Sequence, residues 1–269
     1  MMPTMTHAKP SDVLSDGVVR VEAWDDGLFW RIVLNRPPAN YLDLEMIEAL
    51  HAAFLQAQRC SHLRATMLVG EGEHFSLGAN PESLLPEEAR RSVPAFLDLI
   101  RLILDTPVFR IAVLQGDCMG RGLELARICN RVYAWPEARV GLPEITMGVL
   151  PPVASILLPE RIGRGPAGEL CATGYIKNAV EASWMALVDH AVEDAENFAR
   201  SEVRAFLKGL SSASLRRVLR AVDLGFRERI LRGLAEVEAL YMDECLPSKD
   251  AEEGVRAAIE GRAPVWRHE

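Results

Sequence analysis

Two glutamates, Glu124 and Glu144, stand twenty residues apart in a segment built to expose backbone as well as side chain. A pair of carboxyl groups held in different protonation states can act as base and acid in one site. Gly120-Arg121-Gly122 leads into Leu123-Glu124-Leu125-Ala126, which reads as the start of a helix. Glycines there allow a tight turn and close approach of a ligand to the main chain. The first N–H groups of a helix lack intrahelical partners and carry partial positive charge, so they suit an anion or a developing oxyanion. Glu124 lies in that first turn. Glu144 follows Pro143 in a turn after two short apolar runs.

Two other readings compete. A first-turn glutamate also occurs as simple compensation of the helix dipole, and a strand, a glycine turn and a helix occur in many α/β proteins. A dinucleotide-binding turn, G-x-G-x-x-G, would need glycine at position 125, where Leu125 stands. Its acidic partner should end a second strand, whereas Glu144 sits in a proline-led turn, so that reading is set aside.

The elements around the glutamates alternate. Val18 to Trp24 and Leu28 to Leu34 read as strands joined by Asp25-Asp26-Gly27, a strong hairpin signal. Residues 35–40 form a proline-rich loop. Leu44 to Gln58 carries a helical apolar stripe, with Asp43 as its cap. Ala65 to Val69 and Ile111 to Leu114 read as buried strands. Glu82 to Arg91 is polar and contains proline, and a helix from Phe96 to Leu104 ends at Thr106-Pro107. Ser155 to Arg161 and Gly165 to Thr173 read as helices and Ala186 to Val192 as a last strand. From Ala195 only helices follow: Ala195 to Leu207, Ala213 to Arg232, Leu234 to Tyr241 and Lys249 to Glu260. This order predicts an α/β layered core over 17–194, a helical appendage over 195–269, and a loose tail over 1–16.

Composition narrows the partners. The 269 residues are 49% hydrophobic and 25% charged, as in an ordinary soluble domain. The net charge of −8 argues against nucleic acid as the main partner. The five cysteines form no C-x-x-C and read as reduced thiols of a cytoplasmic protein. The six histidines form no ligand-spaced pair, so no metal is expected. No run approaches the roughly eighteen apolar residues of a membrane span, and no secretory signal is visible. His74 reads as structural, and Ser76 lacks the G-x-S-x-G context of a nucleophile.

GDCMGRGLELARICN followed by ARVGLPEITMGVLPP, with HFSLGAN upstream, resembles the signature of the enoyl-CoA hydratase/isomerase (crotonase) superfamily. The likeness runs from about Val18 to the C-terminus. It implies a crotonase-like spiral of strand-strand-helix turns, with C-terminal helices that build a homotrimer, often paired into a hexamer. It implies Glu124 and Glu144 as catalytic groups and the N–H groups of Ala79 and Arg121 as an oxyanion hole for an acyl-CoA thioester. Glu124 would activate water and Glu144 would exchange the proton at carbon. The substrate and its coenzyme A would lie along Arg36, Ala39, Ala79, Asn80, Pro81, Glu82 and Arg121, with no cofactor beyond the coenzyme A of the substrate. Arg36 stays open between a phosphate or adenine contact and a solvated loop arginine.

Arg121 departs from the family's usual glycine, and its side chain must either turn away to pair with an acid or enter the pocket. Positive φ there would strain an arginine. Asn80, Asn130 and Leu142 also depart, and are expected to tune pocket shape. The segments FSLGANPESLLP and GVLPPVASILLPERIG and the C-terminal tail resemble a branch that hydrates a cyclic dienoyl-CoA. Three functions remain open: a hydratase, an isomerase or decarboxylase of an acyl thioester on coenzyme A or a carrier protein, and a non-catalytic acyl-CoA binder.

Overall fold

The computed structural model describes residues 9–269. In chain order it contains β1 (Asp12–Ser15), β2 (Val19–Trp24), β3 (Phe29–Leu34), α1 (Leu44–Arg59), β4 (Ala65–Gly70), α2 (Pro86–Asp105), β5 (Phe109–Leu114), β6 (Asp117–Met119), α3 (Arg121–Arg127), β7 (Arg131–Ala134), β8 (Arg139–Gly141), α4 (Pro152–Ile162), α5 (Arg164–Thr173), β9 (Ile176–Asn178), α6 (Ala179–Trp184), β10 (His190–Ala191), α7 (Ala195–Leu207), α8 (Ser212–Leu240) and α9 (Lys249–Glu260). Short 3-10 turns cover Pro81–Leu84 and Pro143–Met147, and a π-helical turn covers Tyr241–Cys245.

The strands form a seven-stranded sheet in the order β1-β2-β3-β4-β5-β7-β10 and a small sheet β6-β8-β9. The β1-β2-β3 edge is antiparallel, and from β3 onward the large sheet is parallel. Side chains alternate across it, as a period of two requires. Ile32, Leu34, Leu68, Ala112 and Leu114 enter the main core with α1 and α2. Phe29, Val33, Met67, Ile111 and Val113 face the other way, onto Ala195, Ala199, Val203 and Leu207 of α7. Those four residues are spaced by one helical turn, which explains why α7 covers this face. Both faces of the parallel strands are therefore dry, matching their near-continuous apolar sequences.

Several expectations change. The described part of the expected tail is not loose: β1 pairs antiparallel with β2, Asp12 opposite Ala23. Residues 1–8 of that tail lie outside the described residues. The helix expected from Phe96 begins ten residues earlier. Pro86 takes the first helical position, where its missing N–H costs nothing, and Ala89, Ser92 and Val93 already belong to the buried stripe. The two helices expected on either side of Gly233 are one, α8, and the glycine admits α4 alongside it: a Cβ would stand 2.4 Å from Ile156 Cγ2. The expected strand over 186–192 shrinks to β10. The cysteines are all free. Among the described residues no helix is long and apolar enough to cross a membrane.

Candidate active site

β5 and β6 deliver the chain to Gly120, which caps α3 with φ +50° and ψ −124°, a conformation suited to glycine. A second reason for glycine is spatial. A Cβ at Gly120 would lie 2.3 Å from Glu144 Oε1. The Pro143–Met147 turn thus brings its carboxyl group against the backbone that opens α3, and Glu124 follows within that first turn.

Glu124 is buried. Its Oε1 accepts hydrogen bonds from the N–H groups of Val153 (2.8 Å) and Ala154 (2.7 Å), in the first turn of α4. Its Oε2 is buried with no partner. Burial pushes this carboxyl up to about 7, against the opposing pull of the Ala154 N–H, the Arg121 charge and the Val153 N–H. Glu144 is also buried, with Oε2 unpartnered. Burial, reinforced by the charge of Glu124, pushes it up to about 8. The two acids therefore titrate as a pair, both raised above the ordinary carboxylate range by burial. One oxygen of each carboxyl is held or crowded by protein and the other has no hydrogen-bond partner.

Main-chain donors stand beside them. Gly78 has φ +84°, and a Cβ on it would lie 2.5 Å from Met119 O and 3.3 Å from Arg121 N. Residues 78–79 thus run directly against the start of α3. Hydrogen bonds hold the approach: Met119 N–H donates to Ser76 O (2.9 Å) and Leu42 N–H to Gly78 O (2.8 Å). Among the described residues neither Ala79 N–H nor Arg121 N–H finds a protein acceptor.

Arg121 follows neither expected course. Its φ is not positive, so the arginine carries no backbone strain. Its side chain is buried between the residues before α1 and the body of α2. Nη1 donates to Leu42 O (3.1 Å), Nη2 to Ser92 Oγ (3.1 Å), and the guanidinium lies 5.6 Å from the centre of the Phe96 ring. Burial lowers its pKa, while the nearby Tyr241 phenol and the carboxylates of Glu124, Glu144 and Asp43 act in the opposite direction. The contacts continue: Ser92 Oγ–H donates to Ser83 O (3.2 Å) and Ser83 Oγ–H to Asn80 O (2.6 Å). The side chain of one proposed oxyanion donor is thereby tied to the segment carrying the other.

Of the residues expected along the coenzyme A, Ala39, Ala79, Asn80, Pro81 and Glu82 share one rim, since Leu77 N–H donates to Ala39 O (2.9 Å) and Asn80 caps the turn holding Pro81 and Glu82. Arg36 is engaged by Asp43, Glu45 and Tyr41 O. The Asn130 amide is taken up by Arg110 N–H (2.9 Å). His74 Nδ1 accepts from Asp117 N–H (3.0 Å), and Ser76 Oγ–H donates to Asn40 O (2.8 Å), both structural roles. Asn40 itself carried no expectation. It is fully buried at φ +48° and pins the strand ends at Glu71 O and His74 O. Its place after two prolines was the available signal. Ser92, which holds the Arg121 guanidinium, and Tyr241, which lies near both glutamates, are spaced like any buried helical residue and gave none.

The enoyl-CoA hydratase/isomerase family model matches residues 28–269. The chain belongs to that family. It is 38% identical over 243 residues to cyclohexa-1,5-dienecarbonyl-CoA hydratase of Thauera aromatica, covering 90% of this chain and 94% of that one. It is 30% identical to carnitinyl-CoA dehydratase of Salmonella typhi, covering 90% and 96%. An enoyl-CoA hydratase/isomerase structure from Pseudoalteromonas atlantica superposes with a TM-score of 0.81 at 25% identity, over 93% of this chain and all of that one. An enoyl-CoA hydratase structure from Mycobacterium avium subsp. paratuberculosis shares the fold with a TM-score of 0.83, at 23% identity over 94% and 99%. The crotonase fold expected from the motifs is the fold of this chain.

Proposed function

We propose that this hydro-lyase adds water to, or removes it from, the conjugated double bond of an acyl-CoA thioester, and that a cyclic dienoyl-CoA is its substrate. The observation that carries the reading is the pair Glu124 and Glu144. Both are buried, each has one unpartnered oxygen, and burial raises both above the ordinary carboxylate range, so that one can hold a proton while the other is ionised. In the hydration direction Glu124, as carboxylate, takes a proton from water while the oxygen bonds to the β-carbon. The π electrons move through the α-carbon onto the thioester oxygen. The N–H groups of Ala79 and Arg121 bind that oxygen, each contributing about 3 kcal/mol in a dry site. Protonated Glu144 then delivers its proton to the α-carbon. The chemistry draws on side chains and amides alone, with coenzyme A entering as part of the substrate.

The likeness to the Thauera aromatica hydratase supports the cyclic substrate. Product analysis with crotonyl-CoA and with a cyclic dienoyl-CoA tests it. A hydroxylated product from the cyclic ester supports the reading. A shifted double bond without added oxygen would make the chain an isomerase, and binding without product would make it a scaffold. We also propose that the C-terminal helices assemble three copies of the chain, in the cytoplasm.

A further inference from the structure

The hydroxyl of Tyr241 is buried without a hydrogen-bond partner, although Tyr241 is only 1% exposed. A buried phenol normally finds a partner, and leaving one unsatisfied is unfavourable. The backbone that carries it is also unusual. α8 gives way at Tyr241 to a π-helical turn, with Leu246 N–H donating to Tyr241 O (2.8 Å) across five residues. Such turns insert a residue that ordinary helical spacing would aim elsewhere. This one packs onto the chain just after Glu144: Cys245 Sγ lies 4.0 Å from Gly148 O, and Val149 N–H donates to Glu144 O (3.2 Å).

Glu124 Oε2, Glu144 Oε2 and Tyr241 Oη are all buried without partners, and Tyr241 lies near enough to Arg121, Glu144 and Glu124 to feel their charges. Burial raises the phenol well above its ordinary value, with Arg121 acting against this and Cys245, Glu144 and Glu124 with it. The hydroxyl is therefore a neutral donor at any working pH. The inference rests on the hydratase reading. Water has two hydrogens and two lone pairs. With one hydrogen directed at Glu124 Oε2 and one lone pair at the carbon, it retains a second lone pair for a donor.

We propose that Tyr241 donates a hydrogen bond to the oxygen that water brings to the substrate, and so selects for the hydroxylated acyl group. It takes no proton and forms no bond to carbon. It fixes the oxygen in the free site and holds the product hydroxyl afterwards.

The test compares binding of a 3-hydroxyacyl-CoA with the matching saturated acyl-CoA, in butyryl and cyclohexanecarbonyl forms, to the wild type and to Tyr241→Phe. The wild type should prefer the hydroxylated ligand, and the variant should lose that preference about ten-fold, the scale of one hydrogen bond. Affinity for the saturated ligand should stay the same. The Tm of Y241F should hold or rise, because an unsatisfied polar atom has been removed. Intact discrimination in Y241F overturns the proposal, as does a loss that appears only together with a fall in Tm and in affinity for the saturated ligand. A wild type that binds both ligands alike also overturns it, while leaving the roles of Glu124 and Glu144 standing. A wild type that binds neither overturns the thioester reading, and this inference with it.

Discussion

Arg121 and Gly78 are joined through a single residue: the Arg121 guanidinium donates to Leu42 O at 3.1 Å, and Leu42 N–H donates to Gly78 O at 2.8 Å. The two chain segments that offer free N–H groups, at 79 and at 121, are therefore braced by a side chain that the usual glycine of this family could not supply. Replacing Arg121 by Met keeps the main-chain donor and removes the brace. Leu42 O would lose its donor in a buried setting, which costs on the order of 1–3 kcal/mol. We expect Arg121→Met to lower kcat roughly ten-fold, with a fall in Tm and a smaller change in KM. The Arg121 charge also lowers both carboxyl groups, so the acidic limb of its kcat/KM profile should move to higher pH. Kinetics across pH 5–10 check both parts.

Gly120 is the point where both glutamates meet the main chain. An added methyl would collide with Glu144 Oε1, and positive φ would cost about 1–3 kcal/mol for a residue with a Cβ. Gly120→Ala should fold, since one strained turn is small against a large core. It should lose activity by about 100-fold or more, because the acid is displaced from its working position. A circular dichroism melt together with kcat/KM separates the two outcomes.

The carboxyl pair predicts how stability depends on pH. Both groups are raised in the folded protein, to about 7 and about 8. Between their ordinary values and these, the folded state binds more protons than the unfolded one. Stability from this source is full below the ordinary carboxylate range and is lost as pH rises through about 7 to 8. Glu144→Gln mimics the neutral form. Its Tm should match wild type at pH 5 and exceed it at pH 9 by several degrees, at roughly 2–4 °C for each kcal/mol.

How much of this site was legible follows from the kind of signal each residue gives. Glu124 and Glu144 stand in glycine and proline turns that mark them by residue type, but their convergence was implied by the resemblance to the family and not by the residues alone. The small sheet β6-β8-β9 could not, because its strands are three residues long, too short for a period of two to register. The α4 start at Pro152 was placed three residues late. The two amides holding Glu124 were missed with it, since main-chain donors have no residue type. The path of the Arg121 side chain is a tertiary choice: Ser92, Phe96 and Leu42 lie far from it in sequence. Tyr241 was hidden because its π-helical turn leaves the apolar spacing of α8 unbroken.

The assembly can be tested on α8. Val218, Val222 and Leu224 are exposed on that helix, Val222 at 72% and Leu224 at 70%. Nothing among the described residues covers them, and exposed large apolar side chains on one helix suit contact with further copies. We expect the wild type to sediment as a trimer or hexamer of the 29.8 kDa chain. Val222→Asp combined with Leu224→Asp should shift it to the monomer. A monomeric wild type would remove the assembly role from these helices.

Turnover of a cyclic dienoyl-CoA by wild type, Glu124→Gln and Glu144→Gln, with acyl-CoA binding measured on the same samples, tests the central claim most directly. Two buried acids acting together predict a hydrated product from the wild type. They also predict a loss of about 1000-fold or more in each variant, with binding retained. Variants that hydrate the ester at near the wild-type rate would contradict the account, since the water and the proton would then have to be handled by other groups.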